Sequence, residues 1–255
     1  MIQLFNVILY QPLLNLLVFF YNVVPGSDVG VAIILLTIII KLILYPLSQQ
    51  SIKGQKALQD IQPKMDEIKK QYSNDKEKQA QALMQLYKDQ KVNPFSSCLP
   101  LLIQLPILLA VYQVFRTGLS SNSLDLLYPF IQNPGQLNPI AFGFLDLSKS
   151  NIVLALLAGA AQFWQAKMLS TKKPAIKSAG AKDENLMAAM NKQMLYFMPV
   201  TTVFIGISLP GGLVLYWFLV TILTALQQLI VFKKNRNNGS NQNPPKIIEG
   251  KKIDA

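Results

Sequence analysis

The chain has 255 residues, 51% hydrophobic and only 15% charged, with a mean hydropathy of +0.30 and a net charge of +11. So much apolar sequence excludes a disordered chain, and oil combined with excess cations points to a membrane protein whose charge lies outside the lipid. The absence of histidine and the presence of one cysteine, Cys98, exclude imidazole triads, His-ligated zinc, an internal disulfide and Cys-only metal clusters; no GxxxxGK[ST] run encodes a P-loop.

Residues 1–28 open the chain with an uncharged apolar stretch to residue 24, which lacks the cationic start of a secretory signal. Gln3, Asn6 and Tyr10 share one helical face before Pro12, and Gln11, Asn15 and Asn22 interrupt the apolar run. The expectation is a helix lying on the outer membrane surface; a sixth span and a cleaved signal are the alternatives. Residues 29–50 form a first apolar segment long enough to span, since a crossing needs about 20 residues. It contains a single charge, Lys41.

Residues 51–93 read as a soluble insert. Leu58, Ile61, Met65, Ile68 and Tyr72 step by three and four, a narrow apolar seam on an otherwise polar helix. Pro63 is expected to start or kink a helix there. Asn74 and Glu77 have capping-box spacing for a second helix, continued by Ala80, Leu83 and Tyr87. The object expected is an antiparallel helical hairpin. It is either a solvated connector or a docking element for a large partner, with Lys53, Lys56, Lys64, Lys69 and Lys70 as candidate contacts.

Further spans are predicted at 94–116, 151–169, 190–209 and 211–232, separated by an extracytoplasmic loop at 117–150 and a cytoplasmic loop at 170–189. The strictly apolar part of the fourth, from Leu195 to Leu209, covers about 22 Å against a core of about 30 Å, and Pro199 interrupts its hydrogen bonding. Either the bilayer thins locally or Met187 to Met190 extend the helix. Pro210-Gly211-Gly212 is so short a link that the last two spans are antiparallel neighbours. Residues 233–255 read as a basic disordered tail, in which Lys233, Lys234 and Arg236 act as a positive-inside anchor or touch a polyanion. Of the 24 cations, 21 fall within 51–93, 165–193 and the tail, which are alternate inter-span segments. The positive-inside rule places these segments, and the C-terminus, in the cytoplasm. The fold class is therefore all-α: a polytopic membrane protein with a five-helix core and a cytoplasmic helical hairpin.

Lys41 is the cation that topology does not explain. It lies about 18 Å along its span, where a charge costs about 3 kcal/mol, and all 13 acidic residues lie outside the spans. An unpaired ammonium at that depth must be hydrated or snorkel to the interface. Thr37 and Tyr45 are one turn away on either side; Trp217, Thr221, Thr224 and Gln228 form a polar stripe on the last span; Gln104, Gln162 and Gln165 lie in the second and third. These residues read either as the lining of one hydrophilic groove or as helix–helix glue.

The same stretches resemble the YidC membrane-protein insertase family. The carrying segments are LTIIIKLILYPLSQQ (36–50), LQDIQPKMDEIKKQY (58–72), KVNPFSSCLPLLIQLPILLAVYQVFR (91–116), FMPV (197–200) and LPGGLVLYW (209–217). The resemblance implies a five-helix core around a positively charged groove, open to lipid and cytoplasm and closed outside. The family's groove cation, usually arginine, falls on Lys41, which keeps the charge without the bidentate fork. The groove-lining threonine and aromatic positions fall on Thr37, Tyr216 and Trp217, and a glutamine position on Gln162 or Gln165. The large extracytoplasmic domain of some members is absent, as in the compact form. The function expected is insertion and chaperoning of nascent membrane proteins into the bilayer without ATP, cofactor or enzymatic chemistry. The ribosome, signal recognition particle or Sec translocon would be met on the cytoplasmic side of the cell membrane. The alternatives are a small-solute or anion transporter, for which no internal inverted repeat is visible, and a translocon scaffold subunit.

Overall fold

The computed structural model describes residues 2–97, 99–118, 126–169 and 193–239. The first helical run comprises α1 (Ile2–Phe5), a π turn (Asn6–Tyr10) and α2 (Gln11–Val23). Pro12 does not stop it. It occupies the first turn of α2, and the π turn directly before it takes up the hydrogen bonding that a proline ring disturbs. Leu14, Leu17, Val18 and Tyr21 are buried where α2 packs on α3 (Val29–Ile43) and α6 (Leu99–Gly118). The expected face of Gln3, Asn6 and Tyr10 is split: Gln3 is exposed, Asn6 half-buried and Tyr10 buried, while the apolar Leu4, Val7 and Ile8 face outward.

Helix α3 begins at Asp28, whose Oδ1 accepts from the Gly30 and Val31 amides at 2.7 and 3.1 Å. It ends at Leu44, and α4 (Tyr45–Gln71) leaves at 68°. Pro46, in the first turn of α4, has no N–H to continue the ladder, so the expected first span is one straight helix only to Ile43. The hairpin is α4 followed by α5 (Lys76–Asp89), with Pro63 inside α4. Ile61 and Met65 are buried, and the Tyr87 hydroxyl meets the Met65 sulfur at 3.8 Å. The cap of α5 is Asp75 rather than Asn74, because Asp75 Oδ1 accepts from the Lys78 amide at 3.0 Å. That bond holds the Asp75 carboxyl below its usual range.

A short turn (Pro94–Ser97) sits on α4: the Ser51 hydroxyl donates to Ser96 O at 3.1 Å. Helix α6 follows. Further on, β1 (Ile140–Ala141) and β2 (Leu145–Asp146) pair antiparallel around a tight turn at Phe142 and Gly143.

The polar residues of α2 hold this irregular segment. Asn15, 2% exposed, donates to Leu126 O at 3.1 Å and accepts from the Tyr128 amide at 2.6 Å. Gln11 also donates to Leu126 O, Asn22 donates to Gln132 O, and the Tyr21 hydroxyl accepts from the Asn138 amide. The second oxygen of Asp28 accepts from the Phe142 amide at 2.5 Å, tying the β turn to the start of α3.

Helix α7 (Ile152–Leu169) packs along α8 (Met198–Ser208) and α9 (Gly211–Gly239). Gly159 makes the α7–α8 approach possible; a Cβ there would lie 2.4 Å from Val203 Cγ2. A π turn (Gln193–Phe197) precedes Pro199 in the first turn of α8, as one precedes Pro12. Residues 187–190, invoked as an extension of the fourth span, lie outside the described residues. The start of α9 is fixed from outside by Gly211 and Gly212 amides donating to Lys149 O and Leu147 O, both at 2.9 Å. Helix α9 continues to Gly239, so the first residues of the expected disordered tail, 233–239, are helical. Cations in a helix's last turns favour the negative end of its dipole.

By length and composition, Gln3–Val23, Ile152–Leu169 and Gly211–Lys233 can each cross a membrane alone. Val29–Ile43 qualifies together with its bent continuation, and Leu102–Arg116 and Leu195–Ser208 are shorter apolar helices. The chain is thus an all-α, multi-pass membrane protein.

Asn15→Leu strands the Tyr128 amide. The expected cost is about 1–3 kcal/mol, read as a lower midpoint of thermal unfolding in detergent, with faster proteolysis within 126–138.

Candidate substrate groove

Lys41 stands in the last turn of α3, just before the bend, and its Nζ donates to Thr224 Oγ1 on α9 at 2.9 Å. Thr224 in turn donates to Val220 O at 2.6 Å, so one hydroxyl satisfies its own helix and holds a cation from another. Among the described residues, no carboxylate pairs with Lys41.

The other expected lining residues fall into separate groups. Thr37 is fully buried and donates to Ile33 O at 2.7 Å, so it faces the bundle core. Thr221 is buried and donates to Trp217 O at 2.8 Å, while Trp217 itself is half-buried. Tyr216, fully buried, accepts at its hydroxyl from Gln104 Nε2 at 3.2 Å, which links α6 to α9. Gln162 accepts from the Thr202 hydroxyl and links α7 to α8; Gln165 is half-buried on α7. Tyr45 is carried past the bend and exposed, which breaks its helical register with Lys41. Its carbonyl accepts from Gln227 Nε2 at 3.4 Å. Gln228 is 1% exposed, and its Oε1 has no hydrogen-bond partner among the described residues.

Helix α9 is the common wall: it packs against α3, α4, α6 and α7, and carries the partners of Lys41, Gln104 and the Tyr45 carbonyl. Sequence reasoning missed Thr202 and Gln227. Each is a polar residue in an apolar span, the same signal that singled out its neighbours.

Leu102, Leu105 and Leu109 on α6, and Val200, Phe204 and Ile205 on α8, which packs on α7, present exposed apolar faces. Of the basic candidates on the hairpin, Lys53 and Lys64 are exposed. Lys56 is occupied, bonded to Asp60 at 2.5 Å and placed 5.7 Å from the Phe232 ring centroid on α9. Lys69 and Lys70 are half-buried. Lys233 is exposed, and the side chains of Lys234 and Arg236 lie outside the described set.

The bundle has known counterparts. A family model described as "60Kd inner membrane protein" matches residues 19–238. The membrane protein insertase YidC of Fusobacterium nucleatum is 33% identical over 228 residues, which are 89% of this chain and 98% of that one. The chain belongs to the YidC insertase family.

The YidC of Clostridium tetani is 34% identical over 86% of this chain and 88% of its own length. The YidC of Geobacter metallireducens is 34% identical over 88% of this chain, which spans 37% of that longer relative. A crystal structure described as an active YidC insertase with the first transmembrane domain resolved superposes with a TM-score of 0.53 at 27% identity. It covers 81% of this chain and 42% of that one. The YidC match thus contains Lys41, the hairpin and the whole stripe on α9.

Thr224→Val removes the acceptor of Lys41 and is expected to cost about 1.5–3 kcal/mol, as for a hydrogen bond to a charge. Thr221→Val, which removes a bond only to its own helix, should cost less than about 1 kcal/mol. Paired thermal unfolding in detergent checks the difference.

Proposed function

We propose that this chain moves nascent membrane proteins from the cytoplasm into the bilayer, using the Lys41 site as a cationic, hydrated groove and no ATP. The observation that carries the reading is the Lys41–Thr224 contact: an ammonium at the inner end of an apolar helix, held by a neutral hydroxyl with no carboxylate on it among the described residues. Such a cation keeps its field for an incoming anion. It would attract a polar or acidic segment of the substrate, which then crosses only a hydrated slab. The substrate's apolar helix would leave along the exposed faces of α6 and α8, driven by burial in lipid worth about 25 cal/mol per Å².

The cation distribution supports a cytoplasmic hairpin and C-terminus. Exposed Lys53 and Lys64 give the hairpin a basic surface for the ribosome, signal recognition particle or Sec translocon. The bonds from Gln11 through Asn22 to irregular backbone at 126–138 support α2 lying at the outer interface, since such backbone is costly within hydrocarbon.

Lys41→Ala should lower insertion of a single-span substrate with an acidic outer tail by about tenfold in liposomes holding this protein alone. Unchanged insertion at normal protein levels would remove the groove cation from the mechanism.

A further inference from the structure

Two buried side-chain oxygens lack a hydrogen-bond partner among the described residues, Gln55 Oε1 and Gln228 Oε1. Gln228, 1% exposed, is the deeper. A buried acceptor left unpaired is costly, and each instance calls for a user.

Its place on α9 suggests the user. Gln228 lies four residues after Thr224, on the same helical face and about 6 Å further along the axis. Thr224 is the residue that holds the Lys41 ammonium. The other polar groups nearby are committed: Thr221 and Thr224 donate to Trp217 O and Val220 O, and Gln227 donates to Tyr45 O across the bend. An ammonium carries three hydrogens, and Thr224 takes one. Unspent donors and an unspent acceptor therefore occupy adjacent turns along one helix contact.

We propose that Gln228 Oε1 is a second seat for the Lys41 ammonium, one turn closer to the C-terminal end of α9. This rests on the insertase reading, in which that end faces the cytoplasm. The flexible four-carbon stem of lysine, with three rotatable donors at its head, lets the ammonium move between seats about 6 Å apart. At Gln228 the cation meets a substrate carboxylate entering from the cytoplasm. On return to Thr224 it draws that carboxylate inward. Gln228 is a positioning residue: it acts through Lys41 and need not touch the substrate.

The test uses the full chain in liposomes and two single-span substrates, one with an acidic and one with a neutral outer tail. The variants are Lys41→Ala, Gln228→Met, which keeps the shape without the acceptor, and the double variant. Gln228→Met should lower acidic-tail insertion about fivefold and leave the neutral tail unchanged. Thermal unfolding should stay level or rise, because an unpaired buried group has been removed. The double variant should be no worse than Lys41→Ala. An equal loss on both tails, no loss, or a loss that multiplies with that of Lys41→Ala would overturn the second seat. If Lys41→Ala leaves acidic-tail insertion intact, the groove reading itself fails, an outcome separable from all of these.

Discussion

The bond from the Lys41 ammonium to the Thr224 hydroxyl joins α3 to α9 at the point where the chain turns out of the apolar bundle. A carboxylate there would have been the stronger partner, but it would also have cancelled the charge. A threonine whose hydrogen already goes to Val220 O presents only a lone pair, so the cation is oriented without being neutralised. Pro46 sets the geometry around it. By ending the α3 ladder, it sends α4 away at 68° and leaves Lys41 on the last apolar turn rather than in the middle of a longer helix.

The opposite end of the bundle is tied together by hydrogen bonds to backbone. Asp28 caps α3 with one oxygen and holds the Phe142 amide with the other. Asn15 and Asn22 fasten the backbone of 126–132 to α2, and the Gly211 and Gly212 amides fasten the start of α9 to residues 147 and 149. These are bonds to backbone groups, which give an irregular segment the partners it would otherwise seek from water. Among the described residues, Gln55 and Gln228 each have a buried amide oxygen without a hydrogen-bond partner.

Much of this is legible in the sequence where it depends on neighbours along the chain. Helical steps of three and four mark the hairpin arms, and the quoted segments from 36 to 217 carry the family membership. Lys41 stands out because an apolar run surrounds it. What is not legible depends on partners more than a hundred residues away or on a local choice between near-equals. Asn15 reads as an interruption in an apolar helix, yet it is a clamp on residues 113 positions later. Thr37 shares the helical face of Lys41 by spacing, but its hydroxyl turns back to Ile33 O. Tyr45 has the right spacing on the wrong side of a proline break. Asn74 and Asp75 compete for one cap, and Asp75 takes it because its carboxylate reaches the Lys78 amide.

The proposed groove requires that water reach position 41 from the cytoplasmic side at the depth of an apolar helix. Lys41→Cys in a Cys98→Ser background, challenged with a membrane-impermeant thiol reagent on each side of oriented vesicles, tests it most directly. Labelling is expected from the cytoplasmic side and none from outside. Protection from both sides, or labelling from outside, would contradict it.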